Sequence, residues 1–453
     1  ETLVKMDKDG KMQPGLARSW QVSPDGLTVN LALQTGVKFH DGTPFNAKAV
    51  KFSLERVLNA DVRVPTRFPY QPIQSIDTPD DATVVLKLKS PSPTLIAALS
   101  WTTSGIISPD SVTKLGNTAV QYQHPVGTGP YVFADYAKGK QIKFTKFADY
   151  WGKKPYYDTV VMNIVPDAAS RETMLLAGQV DLVITPPISD VPALQKNNNV
   201  KVLLAPSART IFIGINNQDP ALKDKRVRQA LNYAVNKEAI VKSLLFGAGD
   251  VMDSPMGPSL FGYAKTGPYP YDPEKAKSLL AQAGVKDLTL KFISPTGRYL
   301  QDYQAAQAIA GDLEKVGIKT NLSTMDWATY VATIGAPPDK NTTQLHLLGS
   351  APSFPDASMH MVNFTTDFIP PKGFGTSLYS NPAVDALVNK ANVEVDQAKR
   401  QQLYADAQKL VWDDAPWIFL WLQRFPIVHS AKVTNIGYLP NEKFDALYAE
   451  PAK

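Results

Sequence analysis

DPEKAKSLLAQAGVKDLTLKFISPTGRYLQDYQAAQAIAGDLEKVGIKTNL, residues 272–322, decides the fold class. Asp272 is placed to cap a helix, Pro273 suits the first helical position, and Glu274 puts an acid in the first turn. Leu279, Leu280 and Ala283 form the buried stripe, and Gly284 is the stop. A strand follows over 288–293. The loop Pro295-Thr296-Gly297-Arg298-Tyr299 leads into a second helix over 303–316, which ends at Gly317. Ile318, Thr320 and Leu322 then alternate as a strand. Short strands alternating with capped helices mark an α/β protein with mixed sheets.

The same reading extends outward. Asn381-Pro382 starts another helix, with Val384, Leu387, Val388 and Ala391 on one face. The apolar run 415–422 (APWIFLWL) stops at Gln423 and Arg424, too short for the ~18–20 residues of a membrane span, and reads as core. Toward the N-terminus the chain is richer in strands. Leu27, Val29, Leu31 and Leu33 alternate with polar neighbours after the turn Pro24-Asp25-Gly26. Val84, Leu86 and Leu88 repeat the pattern, and a helix fits 46–58 between them. The cluster Pro125-Val126-Gly127-Thr128-Gly129-Pro130 reads as a domain boundary. Strands follow over 142–147 and 159–165, then a helix over 168–176.

At roughly 100–200 residues per domain, 453 residues suggest two to four domains. The chain has no cysteine, which excludes disulfides, thiolate zinc sites, iron–sulfur clusters and a cysteine nucleophile. Its 47 Lys+Arg against 42 Asp+Glu give 47 − 42 = +5, with the charges interspersed, so nucleic acid is not an expected partner. The opening Glu1-Thr2-Leu3-Val4-Lys5 carries no initiator Met and starts inside an apolar pattern, as in a processed or trimmed polypeptide.

Motifs for catalysis are weak. There is no glycine-rich dinucleotide turn, phosphate loop or zincin helix. Ser111-Val112-Thr113-Lys114 and Lys265-Thr266-Gly267 match two motifs of penicillin-binding enzymes. Tyr379-Ser380-Asn381, the only match to the middle motif, lies outside the other two, and Ser111 reads as the surface start of a helix. No enzyme is expected. Met359-His360-Met361 is the one soft-ligand cluster and reads as packing rather than a metal site. Trp412, Trp417 and Trp421 read as core, whereas Trp327, after Met325-Asp326 at a strand end, is placed to face a cleft. Arg298, on a strand–helix loop, is placed to pair a carboxylate in bidentate fashion. Residues 347–356 leave a strand for a loop whose Ser350, Ser353, Phe354 and Asp356 either line a pocket or make a turn.

Longer motifs carry a resemblance across nearly the whole chain. Pro14-Gly15-Leu16-Ala17-Arg18-Ser19-Trp20, then Gly36-Val37-Lys38-Phe39-His40-Asp41-Gly42, then Pro125 to Tyr131, and then Lys225-Arg226-Val227-Arg228-Gln229-Ala230-Leu231-Asn232-Tyr233-Ala234 occur in that order. The chain resembles the family 5 extracellular solute-binding receptors of bacterial peptide ABC importers, the dipeptide, oligopeptide and glutathione group. Tyr404, Ala407-Gln408 and Ala415-Pro416-Trp417-Ile418 look most similar to the glutathione-binding members.

The resemblance implies a two-lobed periplasmic-binding-protein-like α/β fold with mixed sheets and three spatial domains. These are a small β-rich domain over 1–122, a sheet domain over 123–213 and 430–453, and a helix-rich second lobe over 214–429. It implies a periplasmic monomer that captures a small peptide or glutathione-like solute, uses no cofactor and delivers to a membrane permease. An opine, an oligosaccharide or a metal chelate is the alternative cargo. Arg298 falls where dipeptide receptors hold the ligand carboxylate. Arg209 would help from the other lobe, Trp327 and Phe354 would supply apolar walls, and Ser350, Ser353 and Asp356 polar contacts. Ser353 stands where peptide receptors carry the aspartate for the ligand's amino group, and Ser350 where many carry tryptophan. An N-terminal strand before Glu1 is expected in the family and is absent from this sequence.

Overall fold

The strand Thr210–Ile215 has no polar face. Ile211, Ile213 and Ile215 bury themselves on one side and Phe212 on the other. A strand apolar on both faces belongs inside a sheet covered on both sides. In the computed structural model, which describes residues 1–64 and 67–453, that is where it lies. It is third in a six-stranded sheet ordered Gly249–Val251, Trp417–Gln423, Thr210–Ile215, Leu345–Ser350, Thr289–Ser294, Lys319–Thr324. The first four strands pair antiparallel and the last three run parallel.

The apolar run 415–422 supplies the neighbouring strand, with Ile418 and Leu420 on the isoleucine side and Trp417 and Phe419 on the other. Helices Lys225–Ala234, Pro273–Gln282 and Asp302–Glu314 cover the first face, and Pro382–Ala391 and Gln397–Asp414 the second. The caps read from the sequence are present. Asp272 accepts from Lys275 N–H at 2.9 Å and Asn381 from Ala383 N–H at 3.0 Å. Ala276 and Leu280 make the most buried part of the first helix's stripe, with Leu279 and Ala283 packed at its margin.

The N-terminal region builds a separate core. Strands Ala17–Val22, Thr28–Leu33, Thr83–Leu88 and Ile73–Asp80 form a four-stranded antiparallel sheet in that order. Val29, Leu31, Leu33, Val84, Leu86 and Leu88 all point into it, and helix Ala47–Leu58 packs Val50, Leu54 and Val57 on top. A further sheet pairs Tyr131–Ala137, Gln141–Lys146 and Thr159–Asn163. Another three-stranded sheet, the last of those with more than two strands among the described residues, has Phe425–Ser430 between Leu182–Ile184 and Val200–Ala205.

The chain therefore crosses from this last sheet to the six-stranded sheet between Ala205 and Thr210. It returns between Gln423 and Phe425. The two crossings lie side by side, because Gln423 N–H donates to Arg209 O at 2.9 Å. Among the described residues, no helix is long and apolar enough to cross a membrane.

Candidate functional site

In a parallel array the loops after each strand emerge at one edge, and ligands bind beyond those carboxyl ends. Here three successive loops do so. Strand Thr289–Ser294 leads to Arg298, strand Lys319–Thr324 leads to Trp327, and strand Leu345–Ser350 ends on Ser350. Thr210 pairs with Ser350, so Arg209 reaches the same edge from the antiparallel neighbour. Thr296 and Thr324 hydroxyls, 2.9 Å apart, tie the first two loops together.

Asp302 shapes the arginine loop. Its buried carboxylate accepts the backbone N–H groups of Gly297 (2.9 Å), Arg298 (2.8 Å) and Tyr299 (3.0 Å). This gathers the turn around one anion and aims Arg298 outward. The Arg298 guanidinium lies 5.0 Å from the Tyr299 ring centroid and 5.2 Å from that of Trp327. Among the described residues it has no carboxylate partner.

Trp327 is the first residue of helix Trp327–Ile334, whose N-terminus Asp326 caps, and it stays 40% exposed. Its ring stacks on Tyr330 at 5.7 Å and meets Tyr299 edge-on. Burial pushes the Tyr299 phenol above its ordinary value, so it remains a donor, to Gly349 O at 3.3 Å. Arg298, Trp327 and Ser350 line one cavity of about 160 Å³, with Tyr299, Asn363, Thr376, Phe374 and Trp417 among its other walls. Among the described residues, that lining contains no acid.

The remaining expected residues lie elsewhere or are already engaged. Arg209 sits 5.7 Å from the Tyr299 ring centroid, but its guanidinium is bound to Glu442, at 2.7 and 2.8 Å through Nε and also through Nη2. That pair is largely sheltered, at 13% and 14% exposure. Ser353 is half-buried in the loop beyond Ser350 and outside the cavity. Phe354 plugs the core of the N-terminal domain.

Asp356 is gripped by Arg400 at 2.7 and 2.6 Å, with the side chains 6% and 4% exposed. It lines a different cavity, of about 450 Å³, between the N-terminal sheet and helix Gln397–Asp414. Among the described residues, Asp356 and Arg400 are the only charged groups lining it, and they neutralise each other. Asp356 thus does not offer a free carboxylate to a ligand amino group in this arrangement.

Other motifs resolve into structure. Ser111, expected at the surface, is buried and donates to Ser108 O at 2.7 Å. His360 is buried with Nε2 2.9 Å from Pro255 O, and Met361 is core. Tyr299, Asp302 and Trp417 were not singled out as site residues from the sequence. The alternation Trp417, Phe419 along a central strand was the available signal for the last.

Comparison with known proteins follows the same lines. Residues 11–370 match the family described as bacterial extracellular solute-binding proteins, family 5 Middle. The glutathione-binding protein GsiB of Pectobacterium atrosepticum is 34% identical over 445 residues, covering 98% of this chain and 86% of that protein. Among solved structures, the ABC transporter-associated periplasmic binding protein DppA of Helicobacter pylori, in complex with the peptide STSA, has a TM-score of 0.82 at 28% identity. It is covered over 100% of this chain and 92% of that one. The putative peptide binding protein AppA of Clostridium difficile has a TM-score of 0.89 at 25% identity, over 100% of this chain and 94% of that one. The family resemblance and the two-lobed binding-protein fold read from the sequence are both borne out.

Proposed function

The chain belongs to the bacterial extracellular solute-binding proteins, family 5, and on that premise we propose that it is the receptor of an ABC importer, closing two lobes on a small peptide or glutathione-like solute. The N-terminal sheet and the two three-stranded sheets make one lobe. The six-stranded sheet with its helices makes the other, and the paired crossings at 205–210 and 423–425 are the hinge. Paired crossing segments allow rotation with few backbone torsions changed. The receptor acts as a periplasmic monomer, binds without chemical conversion and hands its cargo to a membrane permease.

The observation that carries this reading is the Arg298 guanidinium. Among the described residues it has no carboxylate partner; it is steadied on two aromatic faces and set at the carboxyl edge of the sheet, in a cavity whose described lining has no acid. A planar fork held this way suits a carboxylate, and the flanking rings exclude water from the pair. Ser350, Asn363 and Thr376 provide neutral hydrogen-bonding groups for peptide amides. The ligand's ammonium, where it has one, meets no acid among the described residues lining this cavity, and outside it Asp356 and Glu442 are each bound to an arginine. This favours an acidic solute.

Titration calorimetry of reduced glutathione and short peptides against the intact protein and Arg298→Ala tests the reading. Loss of a charged hydrogen-bonded pair predicts affinity lower by on the order of 10- to 100-fold. Unchanged affinity removes the carboxylate role. Native mass spectrometry of the purified protein checks the cargo independently, because an opine, an oligosaccharide or a metal chelate would each report its own mass.

A further inference from the structure

The hairpin formed by strands Gly437–Leu439 and Lys443–Asp445 turns at 440–442 beside the hinge. Ala208 N–H donates to Pro440 O at 2.8 Å, and Arg209 holds Glu442. Arg209 and Arg298 both lie against the ring of Tyr299, a wall of the Arg298 cavity, so the turn is linked to that cavity through Arg209 and one shared ring.

The next residue, Lys443, is half-buried. Its ammonium lies 4.6 Å from the ring centroid of Trp101, which belongs to the N-terminal lobe. Among the described residues Lys443 has no carboxylate and no hydrogen-bond acceptor. Its sequence neighbour Glu442 is taken by Arg209. Burial lowers the basicity of the Lys443 amine, with no opposing charge to restore it. Among the described residues, Trp101 Nε1 is buried without a partner, as are Thr103 Oγ1, two residues along from Trp101, and Asn441 Oδ1, two residues before Lys443. A half-buried ammonium without a counter-charge, and buried polar atoms without partners in the same two chain segments, are costly in a finished core. They are what a subsite looks like before an oxygen-rich group arrives.

We propose that Lys443, seated on Trp101, is a second anion subsite of the same cleft. It takes the second carboxylate of a ligand whose first carboxylate lies on Arg298. The substrate class is then a short peptide with two carboxylates. The assignment rests on the Arg298 reading above and sharpens it. It also accounts for a cavity lining that, among the described residues, has no acid: the cargo is then net anionic. Because Trp101 and Arg298 stand on opposite lobes, a ligand bridging them couples its two charges to closure.

The test uses calorimetry on the intact protein with two matched probe pairs. These are reduced glutathione against its glycyl ethyl ester, and Ala-Glu against Ala-Gln. The wild type is expected to prefer the two-carboxylate member of a pair on the order of 10- to 100-fold. Lys443→Met, which keeps the apolar stem on Trp101, should abolish that preference while binding the single-carboxylate member as the wild type does. Lys443→Arg should restore it. Equal binding of both members by the wild type, or equal weakening of both by Lys443→Met, overturns the second subsite and leaves the Arg298 reading intact. If Arg298→Ala changes neither member while Lys443→Met still erases the preference, the Arg298 role fails and the Lys443 subsite stands. Binding of none of the four probes by the wild type overturns both.

Discussion

Asp356→Ala separates a structural carboxylate from a ligand-binding one. Both Asp356 oxygens bind Arg400, at 2.7 and 2.6 Å, and one of them also accepts Ser358 N–H at 2.9 Å. Arg400 further donates to Ala391 O at 3.0 Å and Tyr404 Oη at 3.2 Å, and lies against the Phe261 ring. It cannot leave for solvent when its partner is removed. Truncating one member of a buried pair costs about 3–5 kcal/mol, and the lost backbone bond adds about 1 kcal/mol. The total of about 4–6 kcal/mol converts to a fall of roughly 10–20 °C in the melting temperature of a domain of 150–250 residues. Differential scanning calorimetry of the ligand-free protein reads this directly. Replacing both members, Asp356→Leu with Arg400→Met, removes the stranded charge and should recover most of the loss. The reasoning is refuted if Asp356→Ala melts within about 2 °C of the wild type yet binds its ligand tenfold more weakly, because the carboxylate would then belong to the cargo.

Two further predictions concern the core under the cavity. Burial holds His346 down to about 3 and His360 to about 4, whereas an unfolded histidine titrates near 6.5. Between about pH 4 and 6.5 the unfolded chain therefore binds more protons, so stability is complete above about 6.5 and falls as the pH drops through that window. Urea unfolding of His346→Gln between pH 5 and 6 should show a pH slope smaller by about one proton, and an identical slope would place the imidazole in contact with water. Gly214 sits mid-strand, where an added Cβ would lie 2.3 Å from the His346 ring. Gly214→Ala should cost about 1–3 kcal/mol or more in the same assay, and a neutral result would contradict the packing of Thr210–Ile215 on Leu345–Ser350.

Much of the fold was legible because its signals are local. Asp272, Asn381 and Asn46 each cap the helix that follows them, and the alternation at Val84, Leu86 and Leu88 faces one core, as period and capping require. Strand pairing was not legible. Phe425–Ser430 lies between strands some 220–250 positions upstream, and the sequence marks no partner for it. Ser111 misled for a related reason. Its start-of-helix context is real, with Ser108 as the cap, but what covers that turn comes from distant chain.

The site divides along the same line, and the division bears on what it binds. Arg298, Trp327 and Ser350 were readable because each follows a strand, and parallel strands deliver their following loops to one edge. Phe354 and Asp356 follow Ser350 closely and looked equivalent. A loop has no period, however, so nothing in its letters says which side chains turn back. Here Phe354 reaches into the other lobe's core, and Asp356 turns to a helix more than forty residues downstream. Asp356, expected among the polar contacts, is thereby fixed in the scaffold, as Glu442 is by Arg209. Among the described residues, Arg298 in its cavity and Lys443 on Trp101 are left without a carboxylate partner. Unpaired charge of one sign, sheltered between lobes, selects the opposite sign in the ligand. If Arg298 and Lys443 hold the cargo as proposed, a selectivity for acidic over neutral and basic peptides comes from which charges the fold has already paired, and the cavity's shape need not supply it.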